Sequence, residues 1–249
     1  MQVDLSGRTA LVTGASSGFG RRFAMTLAMQ GAQVIAAARR MDALQCLVTE
    51  IRDAGGVARA VALDVTDALA VEQMIGGLPS LDIVVNNAGI GGGGRALDCE
   101  EAEWRLTYDV NVHGVWFVAR QAALRMNTLG RGGSIINIAS ITGIRPGVSV
   151  AGYSSSKAAV IQLTKALAME WARHGIRVNA IAPGYFETDL TRELLQSDFG
   201  QSMLKRVPQR RYGELSELDG PLLLLASDAS SYMTGSIIAV DGGHLVSVL

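Results

Sequence analysis

Cysteines, long apolar runs and an excess of either charge are all scarce in this sequence. Its 249 residues include two cysteines, and Cys46 and Cys99 lack metal-ligand spacing, so we expect neither a disulfide framework nor a metal site. No apolar run reaches the roughly 18 residues of a membrane span. The first residues contain Asp4 and no long apolar segment, which argues against a secretory signal. These absences predict a cytoplasmic protein with no membrane partner.

The charges that are present are balanced and scattered. Lys and Arg number 22 against 23 Asp and Glu, which gives a net charge of -1. No basic stripe exists that could neutralise a phosphate backbone, so we expect no nucleic-acid partner. The three histidines form no metal or triad pattern. With 49 % apolar and 18 % charged residues, the chain is too hydrophobic for disorder.

Seven short runs rich in Val and Ile alternate with segments of helical spacing. Because the runs are continuously apolar, they indicate strands buried on both faces of a parallel sheet. The strand candidates are Thr9–Thr13, Gln33–Ala38, Val57–Leu63, Leu81–Val85, Ser134–Ala139, Arg177–Ala182 and Ser236–Val240. The helical candidates are Arg21–Gln30, Asp42–Ala54, Ala68–Ile75, Glu100–Asn127, Ser154–His174 and Glu217–Ala226.

This alternation predicts an α/β fold. The expected architecture is a doubly wound, Rossmann-like parallel sheet of about seven strands with helices on both faces, forming one domain over residues 1–249. The ligand crevice of such a sheet lies at the carboxyl ends of its strands.

Residues 184–213 form the longest stretch without a strand signal, and we call them the lid segment. They follow a strand that ends at Pro183, so they would lie beside the crevice. An ordinary surface excursion would also explain them. The apolar residues that could form one side of a helical flap are Leu190, Leu194, Leu195, Phe199, Met203 and Leu204. Gly91–Gly94 are expected to form a mobile loop.

A glycine-rich octet, Thr13-Gly14-Ala15-Ser16-Ser17-Gly18-Phe19-Gly20, joins the first strand to the first helix. Glycines at this position let backbone amides approach a pyrophosphate at the helix amino end. The spacing is Gly-x3-Gly-x-Gly, which differs from Gly-x-Gly-x-x-Gly. A tight strand-to-helix turn without a ligand is the alternative interpretation.

Together with Asn86-Asn87-Ala88-Gly89 and Tyr153-Ser154-Ser155-Ser156-Lys157, this octet resembles the short-chain dehydrogenase/reductase family. Pro183-Gly184 and Asp241-Gly242-Gly243 also match, and the resemblance covers essentially the whole chain. It implies a nicotinamide cofactor bound by residues of the turn, namely Gly14, Ser16, Ser17, Gly18, Phe19 and Gly20. Phe19 stands where the family more often has an aliphatic residue.

The end of the second strand predicts which cofactor is preferred. An NAD site places Asp or Glu there to bind the ribose 2′-hydroxyl, but this chain has Ala38 followed by Arg39 and Arg40. A guanidinium can pair with a 2′-phosphate through two hydrogen bonds. We therefore expect NADP(H) to be preferred, with NAD(H) possible. Both arginines could instead simply be solvated at the start of a helix.

Tyr153 and Lys157 are four residues apart in a helical segment, so their side chains share a face. An ammonium beside a phenol favours the phenolate and lowers the pKa of the tyrosine. General acid-base catalysis is most effective with a pKa near the operating pH. Without the flanking motifs, such a pair would be a packing or surface pair; with them, Tyr153 is the expected proton donor.

The resemblance assigns roles to further residues. Ser140, at the end of a strand, would polarise the substrate oxygen, although a lone serine there is often a helix cap. Asn111 would orient a water in the proton relay, although it could be a helical asparagine without a role. Lys157 and Tyr153 would also contact the cofactor. Asp64 and Val65 would meet the adenine, although Asp64 could cap the following helix. The remaining cofactor contacts would be Asn87, Ala88, Gly89, Pro183, Gly184, Phe186 and Thr188.

These features predict hydride transfer between NADP(H) and a secondary alcohol or ketone, a small-molecule substrate. A 3-oxoacyl thioester (acyl carrier protein) reductase shares the same motifs, and a basic patch near the crevice would favour it. A non-catalytic redox sensor is the alternative from a different class. The resemblance also implies a homotetramer built through the long helices around Glu100–Asn127 and Ser154–His174 and through the carboxyl-terminal strand. Trp104, Trp116 and Trp171 fall in helical segments, and we interpret them as core or subunit-interface residues.

Overall fold

The sheet predicted from the sequence is present. The computed structural model describes residues 3–92, 94–188, 191 and 195–247. Its strands are β1 (Thr9–Thr13), β2 (Gln33–Ala38), β3 (Val57–Ala62), β4 (Ile83–Asn86), β5 (Gly133–Ile138), β6 (Ile176–Pro183) and β7 (Ile237–Val240). All pair in parallel, in the order β3-β2-β1-β4-β5-β6-β7. The seven expected runs are therefore confirmed as strands.

Helices cover both faces of this sheet. They are α1 (Gly18–Met29), α2 (Met41–Asp53), α3 (Ala68–Gly76), α4 (Glu101–Tyr108), α5 (Gly114–Leu129), α6 (Ala151–Trp171), α7 (Asp198–Leu204) and α8 (Asp219–Ala226). On one face α1, α2 and α8 pack against side chains such as Val12 and Ile136, and on the other α3, α5 and α6 pack against Leu11 and Ile135. Alternate residues of a strand point to opposite faces, so burial on both sides explains the continuous apolar runs.

The predicted helix Glu100–Asn127 is interrupted. Residues Asp109–His113 form a π-helical turn between α4 and α5. A π-turn accommodates one extra residue in a helix and is frequent at functional sites. Residue periodicity in the sequence does not reveal it, because both flanking segments keep helical spacing.

After β3, at one edge of the sheet, the chain crosses to β4, which pairs with the other side of β1. The direction in which successive strands are added to the sheet reverses at this point. β1 lies between β2 and β4, so the connections leaving β1 and β4 run in opposite directions and open a crevice at their carboxyl ends. The octet follows β1, and Asn87 follows β4. The fold thus places both motifs at the crevice.

In the lid segment, α7 is a short helix and Leu195 is buried. The Tyr212 hydroxyl hydrogen-bonds to the carbonyls of Leu195 (3.1 Å) and Gly200 (2.7 Å). The carboxyl-terminal part of the lid segment is therefore connected to α7 and to the residues just before it. Leu190, Leu194 and the Phe199 side chain lie outside the described residues, as does Gly93. Within the described ranges, no helix has the length and apolarity needed to cross a membrane.

Candidate active site

The glycines of the octet are required by close backbone packing. A Cβ on Gly20 would lie 2.4 Å from the carbonyl oxygen of Gly14, and one on Gly14 would lie 2.8 Å from Cα of Ala88. Gly14 and Gly18 also have positive φ angles of 64° and 53°, which favour glycine. A Cβ on Gly18 would meet nothing nearer than Thr188 Cγ2 at 3.9 Å. The turn is therefore tightly packed beneath and open above, where α1 begins, and this shape fits a pyrophosphate.

Thr13 joins this turn to β4. Its Oγ1 accepts hydrogen bonds from the backbone amides of Asn87 and Ala88, each at 3.1 Å, and donates to the Val85 carbonyl at 3.4 Å. The Asn87 side-chain amide in turn donates to the carbonyls of Thr13 (3.0 Å) and Gly14 (3.2 Å). These bonds connect the two halves of the crevice.

Arg40 lies against the glycine turn. Its guanidinium donates to the hydroxyls of Ser16 (3.1 Å) and Ser17 (3.0 Å), whereas Arg39 is exposed and helps to lower the pKa of Asp64 through its charge. β2 ends at Ala38, and no carboxylate takes the place used for a ribose 2′-hydroxyl. Arg40 thus contacts two of the expected phosphate-binding residues, whereas for Arg39 the interpretation as a solvated residue at the start of α2 stays open.

Asp64 forms a local turn after β3. Its Oδ1 accepts from the backbone amide (3.0 Å) and the hydroxyl (2.8 Å) of Thr66, and these bonds lower the pKa of the carboxyl. The cap of α3 is Asp67, whose side chain accepts from Ala70. The alternative role of Asp64 as that cap is therefore wrong. Val65 is buried against Gly114, where a Cβ would lie 2.7 Å from Val65 Cγ2.

Tyr153, Lys157 and Ser140 come together where α6 crosses the end of β5. The Lys157 ammonium is buried, donates to the Ile138 carbonyl at 2.8 Å and lies 5.7 Å from the centre of the Tyr153 ring. Ser140 hydrogen-bonds to Tyr153 and also accepts from the Thr142 amide at 3.2 Å as the cap of a 3-10 turn. Ser140 thus combines the contact with the phenol and the capping role considered for it.

The pKa of Tyr153 differs in direction from the expectation. Burial raises it, and the Ser140 hydrogen bond lowers it by less. Burial also lowers the pKa of Lys157 to about 8, because the ammonium loses its hydration and has a neutral carbonyl as its partner. The Lys157 ammonium therefore hydrogen-bonds to the Ile138 carbonyl, and burial favours the protonated form of the Tyr153 phenol.

Asn111 binds the backbone of the opposite loop. In the π-helical turn its Oδ1 accepts from the Ile90 amide (2.8 Å), and its Nδ2 donates to the Ile90 carbonyl (2.9 Å) and to Ser156 Oγ (3.1 Å). A Cβ on Gly89 would lie 3.2 Å from Asn111 Oδ1 and 3.4 Å from Lys157 Nζ. The interpretation of Asn111 as a helical asparagine without a role is therefore wrong, because its side chain links the loop after β4 to α6.

The segment after β6 folds over the glycine turn. Phe186 is buried and packs edge to face on Phe19, with ring centres 5.5 Å apart, and Thr188 lies beside Gly18. The Gly184 amide donates to the Val240 carbonyl at 2.8 Å, and a Cβ on Gly184 would lie 2.8 Å from Cα of Asp241. Pro183 ends β6. Phe19, the departure from the family pattern in the octet, therefore contacts Phe186.

Sequence reasoning gave no role to three polar residues that organise the site. Thr13 joins the two halves of the crevice, Ser156 accepts from Asn111 and donates to the Tyr153 carbonyl at 2.7 Å, and the Thr142 hydroxyl donates to Ser140 at 3.0 Å. Thr13 lies inside the octet and Ser156 lies between Tyr153 and Lys157. Their positions within these motifs could have indicated that both residues have a role in the site. Among the described residues, no group of three or more His, Cys, Asp or Glu side chains could hold a metal.

Comparisons with known proteins agree with this geometry. A family model described as enoyl-(acyl carrier protein) reductase matches residues 14–244. Gluconate 5-dehydrogenase of Gluconobacter oxydans (strain 621H) is 38% identical over 251 residues, covering 98% of this chain and 97% of that protein. The 3-oxoacyl-[acyl-carrier-protein] reductase of Thermotoga maritima is 38% identical over 246 residues, covering 97% and 99%.

Solved structures give the same result. A gluconate 5-dehydrogenase from Burkholderia cenocepacia J2315, in complex with NADP and tartrate, superposes with a TM-score of 0.95 at 37% identity, covering 99% of this chain and 98% of that one. These relatives are named as dehydrogenases or as a reductase, which supports an enzyme and not a non-catalytic redox sensor. This protein is an oxidoreductase that uses a nicotinamide cofactor on secondary alcohols and ketones, and it belongs to the short-chain dehydrogenase/reductase family.

Proposed function

We propose that this oxidoreductase prefers NADP(H) to NAD(H). The contact of the Arg40 guanidinium with Ser16 and Ser17 carries the proposal, because it places a cation at the phosphate-binding turn beside the end of β2. An exposed Arg39 adds positive charge to the same edge. A 2′-phosphate would gain charge-assisted hydrogen bonds there. NAD would find no carboxylate at Ala38 to bind its 2′-hydroxyl.

Residues of the crevice would hold the rest of the cofactor. Its pyrophosphate fits the open side of Gly14 to Gly20, and Asp64 with Val65 would border the adenine. Asn87, Ala88 and Gly89 would lie beneath a ribose. At the nicotinamide end, Pro183, Gly184, Phe186 and Thr188 would present one face of the ring, and Lys157 with Tyr153 would contact the nearer ribose. When bound, the reduced cofactor supplies a hydride.

The proton follows a separate route through the side chains of this chain. Ser140 donates a hydrogen bond to the carbonyl oxygen and polarises it. Tyr153 transfers its proton to that oxygen during reduction, since burial raises the pKa of the phenol and keeps it protonated. Oxidation of an alcohol needs the phenolate and therefore becomes faster at alkaline pH. Asn111 positions the loop around Ile90 and a relay water.

The substrate is a secondary alcohol or ketone of small size, and the described part of the lid segment, residues 184–188, 191 and 195–213, would lie beside it. Relatives named for gluconate suggest sugar acids. A second candidate, a 3-oxoacyl thioester, is favoured by the basic residues 205–211 of the lid segment. Assays of NADPH oxidation over ketones, keto sugar acids and 3-oxoacyl thioesters discriminate between them. Comparison of kcat/KM for NADPH and NADH tests the cofactor preference, and equal values would contradict it.

We also infer a homotetramer in the cytoplasm. Trp104, Leu106, Trp116 and Leu124 on α4 and α5 are exposed, and apolar surface of this kind supports subunit contacts. Trp171 instead packs on the core. Cys46 and Cys99 are free thiols, which suits a reducing compartment. Light scattering coupled to size exclusion measures the mass, and a monomer would contradict the assembly.

A further inference from the structure

Three neighbouring strands end side by side at the crevice. β5, β6 and β7 pair in parallel, so their carboxyl ends lie next to one another. Ser140 comes two residues after β5, Tyr185 two residues after β6 and His244 four residues after β7. The topology therefore brings a tyrosine and a histidine, to which no role has been assigned, to the edge of the sheet that carries Ser140.

The segment after β6 directs Tyr185 away from the glycine turn. The next residue, Phe186, forms a β-bridge with Gly213, and its buried ring packs on Phe19. Consecutive residues of an extended segment point to opposite sides. The Tyr185 ring accordingly packs on His244, with ring centres 5.4 Å apart and planes inclined by 51°. The Gly213 amide also donates to the Tyr185 carbonyl at 2.9 Å, so both the backbone and the ring of this tyrosine are held.

The hydroxyl of Tyr185 is available to a ligand. The residue is half-buried, and its hydroxyl has no hydrogen-bond partner within the described part of the chain, although a buried tyrosine usually has one. Burial raises the pKa of this phenol, the charges of Arg145 and Arg206 lower it, and Tyr153 raises it. Burial thus favours the protonated form, which can donate a hydrogen bond. The Tyr185 hydroxyl is also close enough to the proton donor for the two phenols to interact electrostatically.

Arg145 attaches the carboxyl-terminal turn, residues 241–247, to the loop after β5. Its guanidinium donates to the carbonyls of His244 (2.6 Å), Ser247 (3.2 Å) and Leu245 (3.4 Å). Hydrogen bonds from a charged donor are stronger than those between neutral groups. Because one side chain makes all three of these bonds, the position of the His244 ring depends on Arg145.

The loop after β5 is a rigid base for this attachment. The amides of Gly143 and Arg145 donate to the carbonyls of Ser140 (3.1 Å) and Ile141 (2.9 Å), respectively. A Cβ on Gly143 would lie 2.6 Å from the backbone carbonyl carbon of Lys157. The loop therefore packs directly on α6. Arg145 consequently fixes the carboxyl-terminal turn relative to the helix that carries the proton donor.

The carboxyl-terminal turn presents His244 as a packing surface. Asp241 closes the turn, since its carboxylate accepts from the backbone amides of Gly243 (2.9 Å) and Leu245 (2.7 Å). The His244 side chain is buried. Burial and the charge of Arg145 lower the pKa of its imidazole, which favours the neutral ring. A buried, neutral ring is suited to support the phenol ring that it contacts.

We propose that the Tyr185 hydroxyl binds a second oxygen of the substrate, remote from the reacting carbonyl, and that Arg145 and His244 are positioning residues that hold the Tyr185 ring for this contact. The inference rests on the proposed function, because it requires a ketone or alcohol that reacts beside Tyr153. The site should favour ketones with a further oxygen a few bonds from the carbonyl. Sugar acids and 3-oxoacyl thioesters both contain such an oxygen, so the contact is compatible with either candidate substrate.

Two ketones of the same chain length test the contact. Ethyl 3-oxobutanoate and 2-heptanone are both methyl ketones, but only the ester has a second carbonyl oxygen. We expect a lower KM for the ester in the wild type, and we expect Tyr185→Phe to raise this KM about three- to tenfold, as for the loss of one hydrogen bond. KM for 2-heptanone, kcat and the Kd for NADPH should stay within about twofold of the wild-type values. Tyr232→Phe, at a fully exposed tyrosine that precedes β7, is the matched control.

The positioning residues are tested in two backgrounds. Arg145→Met and His244→Ala should each raise KM for the ester relative to KM for 2-heptanone. Arg145→Lys keeps a charged donor and His244→Phe keeps a ring, so both should recover part of the preference for the ester. In the Tyr185→Phe background, Arg145→Met and His244→Ala should not change the ratio of the two KM values further. A further change in that background would show that these residues do not act through Tyr185, and the proposal would be wrong.

Binding gives the same test without turnover. In the Tyr153→Phe enzyme with NADPH bound, saturation-transfer NMR measures the Kd of each ketone while no reduction takes place. Tyr185→Phe should weaken binding of the ester and leave binding of 2-heptanone unchanged. Equal affinities for the two ketones, an equal loss of both, or no detectable binding of the ester would overturn the proposal. Binding of the ester through Tyr185 without turnover of any carbonyl compound by the wild type would instead reject the proposed function.

Discussion

Phe19 and Phe186 pack edge to face across the glycine turn, with ring centres 5.5 Å apart and planes at 89°. Phe19 lies in the first turn of α1, and Phe186 follows β6. Gly213 completes the contact, since a Cβ there would lie 2.4 Å from the Phe186 ring. One aromatic pair therefore connects the phosphate-binding turn to the lid segment.

We expect a favourable coupling free energy between these two rings. In a double-mutant cycle of Phe19→Leu, Phe186→Leu and the double variant, urea unfolding should give an interaction of about 0.5–1.5 kcal/mol, the typical value of an aromatic pair beyond simple burial. Phe23→Leu with Phe186→Leu is the control, because Phe23 packs in the same core without being paired to Phe186. Additive effects of Phe19 and Phe186 would contradict the contact.

Thr13 should be more important than its size suggests. Thr13→Val keeps the shape but removes the acceptor for the part-buried amides of Asn87 and Ala88. The Asn87 amide keeps the Val85 carbonyl at 3.1 Å, so the main loss is the partner of the Ala88 amide, and a buried amide without a partner costs about 1–3 kcal/mol. We expect lower stability together with weaker NADPH binding, measured by urea unfolding and by fluorescence titration. Thr13→Ser retains the hydroxyl and should restore both. A valine variant with unchanged NADPH affinity would exclude the role of Thr13 in shaping the cofactor site.

The two arginines after β2 should be unequal. Arg40→Ala removes the cation that contacts Ser16 and Ser17, so kcat/KM for NADPH should fall by about ten- to a hundredfold, as expected for loss of a charge-assisted hydrogen bond. The value for NADH should change little. Arg39→Ala, an adjacent exposed cation, should have the smaller effect. Equal losses with NADPH and NADH would show that Arg40 only supports the turn.

Replacement of the phenol should separate binding from chemistry. Tyr153→Phe removes the proton donor but keeps the ring beside Lys157, so turnover should fall by at least about 10²–10⁴-fold. The Kd for NADPH should stay within about twofold of the wild-type value. Ser155→Ala, on the same helix and outside the proposed chemistry, is the control. Substantial residual turnover in the phenylalanine variant would refute the assignment.

Lys157 should give stability a distinctive pH dependence. Its folded pKa of about 8 lies below the ordinary value of 10.5, so between these values the unfolded chain binds more protons and stability rises with pH. The contribution is absent below about pH 7 and reaches about 2 kcal/mol at about pH 9.5, from 1.36 kcal/mol per pKa unit. Urea unfolding of wild type and Lys157→Met should diverge by this amount. Parallel pH profiles would contradict the burial of a charged lysine.

Sequence patterns predict this fold well because the strands and the position of the crevice both depend on short, local stretches of sequence. Continuous apolar runs give the strands, and the octet with Asn87 locates the crevice. The π-helical turn around Asn111 could not be predicted, since the flanking segments keep helical spacing and the contact of the Asn111 side chain with the backbone of Ile90 joins residues far apart in the chain. The direction in which the pKa of Tyr153 is shifted could not be predicted from the sequence either. It depends on burial and on Lys157 being directed to Ile138, and residue spacing reports neither.

The extra residue in the turn Asp109–His113 has a geometric consequence. One inserted residue rotates the downstream helix α5 by about 100° around its axis, since an α-helix advances 3.6 residues per turn. Deletion of a neighbour such as Val112 would restore a regular helix and lengthen its hydrogen-bond ladder. It would also turn the amide of Asn111 away from Ile90. The irregular helix therefore places the Asn111 carboxamide within hydrogen-bond distance of the Ile90 backbone in the loop after β4.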